Sequence, residues 1–356
     1  MHLQIQWCSG TRQPSAVAMG CNNIEPKMKT KNILIIGGGN VGHSLAYSLS
    51  DKANVNLLVR DKTKWNTKLR FGSSESQSFK VFTWDEKIED SPSIIFLTLP
   101  LLYRKDTLDR LLQLKIHHST IVAIPGYGNF EELISTIKGY EKFNYGSLQR
   151  VPYICRIKEY GKEIEITGYK DKLFLYLKDK KDDLLETFSY LFSTPTYYLE
   201  SHLQNTLSNS NPLLHTSRLY SIFHNNLKKK RKILFYEEWN DESSHLLINM
   251  DSELREIYKA NHIENLHTDI LSHYGVSSAV ELTNKIRNID AFKKIETPMI
   301  QDGEGHYTAD LQSRYFTEDF GIGLKCIDDI AIKSNLKLKF IPMILNWYNS
   351  IMKEEA

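Results

Sequence analysis

At 356 residues the chain is long enough for two domains with substantial cores, and 41% apolar with 25% charged residues is ordinary globular composition. A formal charge of +2 gives no basic footprint for nucleic acid. No apolar run approaches the roughly 18 residues of a membrane span.

Residues 1–27 lack sustained periodicity and carry no basic start followed by an apolar stretch, so they read as a disordered leader with folded structure beginning near Met28. Strand patterns then occur at Ile33–Ile36, Val55–Val59, Lys80–Thr83, Ile94–Leu99 and Thr120–Ile124, separated by helical patterns such as Val41–Leu49 and Lys105–Leu114. Apolar strands alternating with helices predict a parallel sheet covered on both faces. Glu163–Thr167 and Leu173–Leu177 add strand candidates, and Asp182–Phe192 a helix. From about Thr196 the character changes. Leu199–His224, Leu246–Ala260, Glu264–Tyr274 and Gly323–Ser334 show helical spacing. The fold class is therefore α/β: Gly37, Gly39 and Gly42 after the first strand mark an N-terminal Rossmann-type dinucleotide-binding domain over 28–195, and a mostly α-helical C-terminal domain follows over 196–356.

The strand pattern Ile33–Ile36 runs into Gly37, Gly39 and Gly42, which fit G-x-G-x-x-G and open a helical pattern. Gly37 permits the tight turn, Gly39 lets the backbone approach a pyrophosphate, and Gly42 allows close helix–strand packing. Asn40 and Val41 lie inside the same turn and join the expected cofactor-binding set. About 20 residues on, an NAD site places an acid for the ribose 2′-hydroxyl. Here Val59 occupies that place and Arg60 follows, which favours a 2′-phosphate and hence NADP(H). Asp61 leaves NAD(H) open, because a slight register shift would make it the ribose ligand. Leu99 and Pro100, after the fourth strand, fall where such sheets pass under a nicotinamide ribose. The turn Pro125-Gly126-Tyr127-Gly128 is a further candidate for that edge.

A nicotinamide domain needs a partner that binds substrate and handles a proton. Among twelve histidines, His215 stands one turn past Asn211-Pro212, where a helix start is expected. Late in the chain, RYFTEDFGIGL offers Arg314 as a bidentate carboxylate partner and Asp319 as the carboxylate that orients a histidine. Each has a structural alternative: a helix histidine, a salt-bridged arginine, and an acid capping the helical run that follows. The four cysteines, Cys8, Cys21, Cys155 and Cys326, have no metal-like spacing and point to a reducing cytoplasm, with no metal expected. Cys155 and Cys326 read as small buried apolar residues. The basic run Lys228–Lys232, closely followed by Glu237, Glu238, Asp241 and Glu242, reads as a solvated surface segment.

Taken in order, GGGNVGH, VPYICRIKEYGKEIEITGYK at 151–170, NPLLH at 211–215, FYEE at 235–238, MDSELREIYKA at 250–260 and RYFTEDFGIGL make the chain resemble the octopine/nopaline (opine) dehydrogenase family. Residues 180–210 and 261–312 follow the pattern loosely. The resemblance implies NAD(P)H-dependent reductive condensation of a 2-oxo acid with the amine of an amino acid through an imine. It implies His215 as the acid/base, Asp319 as its carboxylate partner, Arg314 as a carboxylate anchor and Asn211 among the substrate contacts. A related reductase acting on a hydroxy or oxo acid without an amine is the nearest alternative, and a non-catalytic dinucleotide-binding sensor or scaffold a more distant one. A monomer or homodimer is expected.

Overall fold

The computed structural model describes residues 31–355 other than 89, 115, 117, 118 and 265–267. The expected leader at 1–27 and the start near Met28 lie outside the described residues. The chain divides into two compact units between Thr206 and Leu207.

The first unit is built on an eight-stranded sheet. In it β1 (Asn32–Ile36) is flanked in parallel by β2 (Asn54–Leu58) and β6 (Ile94–Leu97). Helix α1 (Asn40–Leu49) links β1 to β2. Two short strands, β3 (Arg70–Phe71) and β4 (Ser74–Glu75), come before β5 (Lys80–Phe82), which pairs with β2. On the other side α2 (Arg104–Gln113) leads to β7 (Thr120–Ala123), and α3 (Phe130–Ser135) to β8 (Asn144–Leu148). Side chains of β1 alternate between two buried layers, as strand geometry requires. Ile33 and Ile35 pack with Leu45, Leu49, Phe188 and Phe192, while Leu34 and Ile36 pack with Leu108, Leu111, Phe130 and Ile134.

The register sets the functional edge. Ile36 pairs with both Leu58 and Leu97, and Leu97 with Ala123. The carboxyl ends of four strands are therefore level, and the turns that leave them emerge along one edge.

The sheet is not parallel throughout. Between β8 and the next sheet strand the chain folds as a hairpin, β9 (Tyr153–Glu159) with β10 (Glu163–Tyr169), which joins β3 and β4 in a second, four-stranded sheet. No crossover helix intervenes, and β11 (Leu173–Leu177) returns antiparallel to β8. After α4 (Asp182–Phe192), β12 (Thr196–Tyr198) pairs with β11 at the sheet edge. The short α5 (Leu203–Thr206) also belongs to this unit, since Asn205 Nδ2 donates to Ser147 O at 2.8 Å. The division thus falls later than the expected break at 195/196.

The second unit is mostly helical. The pattern at 199–224 predicts one helix, but it is broken: α6 (Asn211–Phe223) starts afresh with Pro212 in its first turn, where a missing N–H costs nothing. Next comes α7 (Asp241–Ala260), capped by the Asn240 side chain on Ser243 N–H and burying Leu247, Met250, Leu254 and Ile257. Helices α8 (Ile270–Tyr274) and α9 (Ala279–Arg287) precede the hairpin β13 (Met299–Gln301) with β14 (Tyr307–Ala309). A π-helix over Tyr315–Leu324 runs directly into α10 (Lys325–Lys333), and α11 (Phe340–Glu355) follows. Three residues of the basic run are ion-paired at the surface. Lys228 faces Asp302 at 3.5 Å, Lys232 bonds Glu296 at 2.6 Å, and Arg231 meets Glu238. Among the described residues no helix is long and apolar enough to cross a membrane.

Candidate active site

In the first unit the candidate dinucleotide site is the turn after β1. Gly37 has a φ of +118°, and its N–H donates to Leu58 O at 3.0 Å. A Cβ on Gly42 would lie 1.8 Å from Gly37 O, so only glycine lets α1 rise directly from the turn. Gly39 caps α1, and a Cβ there would meet nothing within 4 Å. The first turn of α1 carries no acid. A level strand end, an open glycine and a helix N-terminus without a competing carboxylate fit the pyrophosphate of a dinucleotide. Val41 packs against the core beneath, and Asn40 is tied sideways to β9. Its Oδ1 accepts the Ile157 N–H at 2.9 Å and its carbonyl accepts the Cys155 thiol at 3.1 Å.

One residue of this turn escaped the motif. His43 is fully buried, and its Nε2 accepts the Gly161 N–H at 2.8 Å. Nδ1 must then carry the proton and donate to Gly39 O at 3.0 Å. Burial pushes the imidazole down to about 4, against the two backbone bonds that favour its charged form. Trp65 and Tyr160 pack on it, with ring centres 4.0 and 5.0 Å away. The glycine turn is thereby clamped to the β9–β10 hairpin.

At the end of β2, Val59 is buried and its N–H bonds Phe82 O at 2.9 Å, while Arg60 is exposed. Asp61 is occupied locally: it accepts the Thr63 hydroxyl at 2.6 Å and the Thr63 N–H at 3.0 Å. Those bonds hold its carboxyl below the usual range. After β6, Thr98 Oγ1 donates to Ile36 O and Gly37 O, locking the strand end to the glycine turn. Leu99 and Pro100 follow, and buried Arg104 fixes this loop to the next one. Its Nε meets Leu99 O at 3.4 Å, Nη1 meets Tyr127 O at 3.0 Å, and Nη2 meets Pro125 O at 2.7 Å. Nothing in the sequence pattern distinguished Arg104 from an exposed helix residue.

A separate cluster lies in the helical unit. His215, in the second turn of α6, presents both ring nitrogens to side chains. Nδ1 lies 2.7 Å from Asp319 Oδ2, and Nε2 lies 3.0 Å from the Tyr236 hydroxyl. Tyr315 lies across the imidazole at 4.5 Å, and Phe235 meets it edge-on at 5.6 Å. The His215 and Asp319 side chains are only 11% and 15% exposed, so their interaction is little screened.

Asp319 does not precede a helix, as a capping role would need. It sits inside the π-helix. A π-helix of this length is rare, and such segments gather at functional sites. It packs on the start of α6 because position 323 is glycine: a Cβ there would lie 2.6 Å from Pro212 Cγ. Arg314, at the start of the π-helix, is 72% exposed and bonds Glu318 Oε2 at 2.8 Å. Asn211 is exposed at the start of α6, where its N–H donates to Asn209 Oδ1 at 3.2 Å. The structure thus brings His215 and Asp319 together and pairs Arg314 with a carboxylate of its own helix.

Tyr236 carried no role in the sequence beyond its place in FYEE. It is 5% exposed, and burial raises its phenol far above the ordinary value. An imidazole gripped by a carboxylate at Nδ1 and a hydroxyl at Nε2 can hold or pass a proton at Nε2 in a fixed orientation.

Residues 198–352 match the family model for the NAD/NADP octopine/nopaline dehydrogenase, alpha-helical domain. Over 364 residues the chain is 23% identical to tauropine dehydrogenase of Arabella iricolor, covering 91% of this chain and 92% of that one. A solved structure of octopine dehydrogenase with NADH and L-arginine superposes with a TM-score of 0.78 at 21% identity, covering 91% and 90% of the two chains. Yersinopine dehydrogenase bound to NADP+ superposes with a TM-score of 0.67 at 12% identity, covering 92% of each. The chain is thus similar over most of its length to tauropine and octopine dehydrogenases, and residues 198–352 match the octopine/nopaline dehydrogenase alpha-helical domain.

Proposed function

We propose that this chain is an NAD(P)H-dependent opine dehydrogenase that condenses a 2-oxo acid with the amine of an amino acid and reduces the resulting imine. The observation that carries this reading is the His215–Asp319 pair at 2.7 Å, inside the domain that matches the family. Bound NAD(P)H supplies the hydride. The protein's own residues handle protons and position. Forming the imine expels water, so the departing hydroxyl needs a proton, and His215 Nε2 is the group to deliver it. Asp319, bonded at Nδ1, orients the ring and balances its positive charge. Arg314, held by Glu318, anchors a substrate carboxylate, with Asn211 as a further contact.

For the dinucleotide, NADP(H) is favoured. Arg60 is exposed just beyond β2, and Asp61, the one acid in position to take a ribose hydroxyl, is bonded to Thr63.

The test is a matrix of NADPH and NADH against 2-oxo acids and amino acids, with products identified by mass. Cofactor oxidation that requires both substrates and yields an N-(1-carboxyalkyl) amino acid is the expected result. Oxidation with an oxo acid alone, giving a hydroxy acid, would replace this reading with that of a simple oxo-acid reductase.

A further inference from the structure

We propose that Tyr236 is a positioning residue for His215: its phenol holds Nε2 from the side opposite Asp319 and fixes the plane of the ring, and the substrate hydroxyl takes its place at Nε2 when the proton is delivered.

With Asp319 taking the Nδ1–H, neutral His215 has a lone pair at Nε2, and the Tyr236 hydroxyl 3.0 Å away is a donor to it. Burial keeps that phenol protonated through the neutral range. Once Nε2 gains a proton it becomes the donor. The phenol oxygen can accept that bond after its hydrogen turns, so the contact survives in both protonation states.

The hydroxyl itself is held from behind. The Tyr236 ring stacks on Phe292 at 4.1 Å with an interplanar angle of 18°. Its segment is fastened to the helix that carries His215 by Arg218, which is 2% exposed. Arg218 Nε donates to Phe235 O at 2.8 Å and Nη2 donates to Glu238 O at 2.7 Å. His215 and Arg218 are three positions apart on α6, so one turn of one helix places both the imidazole and the clamp on its partner. A tyrosine needed only for packing would satisfy its hydroxyl at any nearby carbonyl. This one meets the nitrogen of the pair that sequence and geometry single out. The polar groups that face the imidazole are Asp319 and Tyr315 from the π-helix and Tyr236 from the segment between α6 and α7, with Tyr274 near the phenol.

The test is Tyr236→Phe in the full-length protein, which keeps the ring on Phe292 and removes one oxygen. Nitrogen-15 spectra of the free protein should show the His215 Nε2 signal moving while Nδ1 stays. With opine substrates, kcat should fall about tenfold while KM moves by less than about twofold. An unmoved Nε2 signal overturns the proposal. So does a kcat within about twofold of the original. The spectroscopic arm needs no substrate, so it stands or falls separately from the opine reading. If the Phe variant does not fold, 3-fluorotyrosine at 236 keeps ring and hydroxyl but strengthens the donor. A shifted Nε2 signal then supports the assignment, and an unchanged one refutes it.

Discussion

Nδ1 of His215 and Oδ2 of Asp319 lie 2.7 Å apart, although 104 residues separate them in the chain. One comes from α6 and the other from a π-helix, and neither alone differs from an ordinary helix residue. Asp319→Asn keeps the shape but presents an amide that can donate to Nδ1, driving the ring proton to Nε2. That reverses the tautomer required to accept there. We expect kcat to fall by about 10²- to 10⁴-fold, and His215→Ala to lose hydride transfer similarly, with dinucleotide affinity intact in both. Turnover near normal in either variant, read alongside a cofactor titration, would remove the pair from the mechanism.

His43 links the glycine turn to stability through pH. Its imidazole titrates near 4 in the folded protein and near 6.5 when unfolded. Between those values the unfolded chain binds more protons, so this contribution is complete above about pH 6.5 and is lost as pH falls toward 4. The shift corresponds to on the order of 3 kcal/mol. Glu131 acts in the opposite direction. Burial raises its carboxyl to about 7, against the pull of the Ser147 hydroxyl bond, so its contribution is present below its ordinary value of 4.5 and lost as pH rises toward 7. The two are separated by variants. His43→Gln should flatten the loss of Tm between pH 6.5 and 4, whereas Glu131→Gln should raise Tm relative to the parent more at pH 8 than at pH 4. Parallel Tm curves for parent and variant would contradict the corresponding assignment.

Arg60 reports on the dinucleotide. Removing an exposed guanidinium from the end of β2 should weaken binding only where it meets a phosphate. Arg60→Ala is expected to raise the Kd for NADPH about tenfold and leave that for NADH nearly unchanged, measured by fluorescence titration. Equal losses for both dinucleotides, or none, would assign Arg60 to the surface.

The sequence made some of this legible and concealed the rest for identifiable reasons. Ile33–Ile36 is a buried strand between two helical layers, and the glycine spacing after it needs only local geometry, so both could be read directly. The β9–β10 hairpin could not. Its strand Tyr153–Glu159 alternates weakly, and pairing with Arg70–Phe71 is a long-range choice. That hairpin turns β11 antiparallel. His43, Arg104 and Tyr236 were hidden for a related reason: each is defined by a partner distant in sequence, Gly161, Tyr127 and His215 respectively. The π-helix was hidden differently. A pattern tuned to 3.6 residues per turn ends a helix where a wider turn begins, so Asp319 read as preceding a helix rather than as part of one.

Gly323 is the place where that π-helix can be tested. A methyl group there would sit 2.6 Å from Pro212 Cγ and 3.1 Å from its Cβ, and the proline ring is held in the first turn of α6. The ring cannot swing aside as a flexible chain end would, so the two helices must separate. His215 rides on one and Asp319 on the other, and their 2.7 Å bond should lengthen with the movement. Overpacking of this kind costs about 1–3 kcal/mol. Gly321→Ala is the control. Its added methyl meets the Tyr348 hydroxyl at 3.1 Å and Phe316 O at 3.6 Å, contacts that a few tenths of an ångström relieve. Gly323→Ala should therefore lower both Tm and kcat clearly, and Gly321→Ala should lower them little. If the two variants melt together and turn over alike, close packing at Gly323 is not what seats Asp319 against His215.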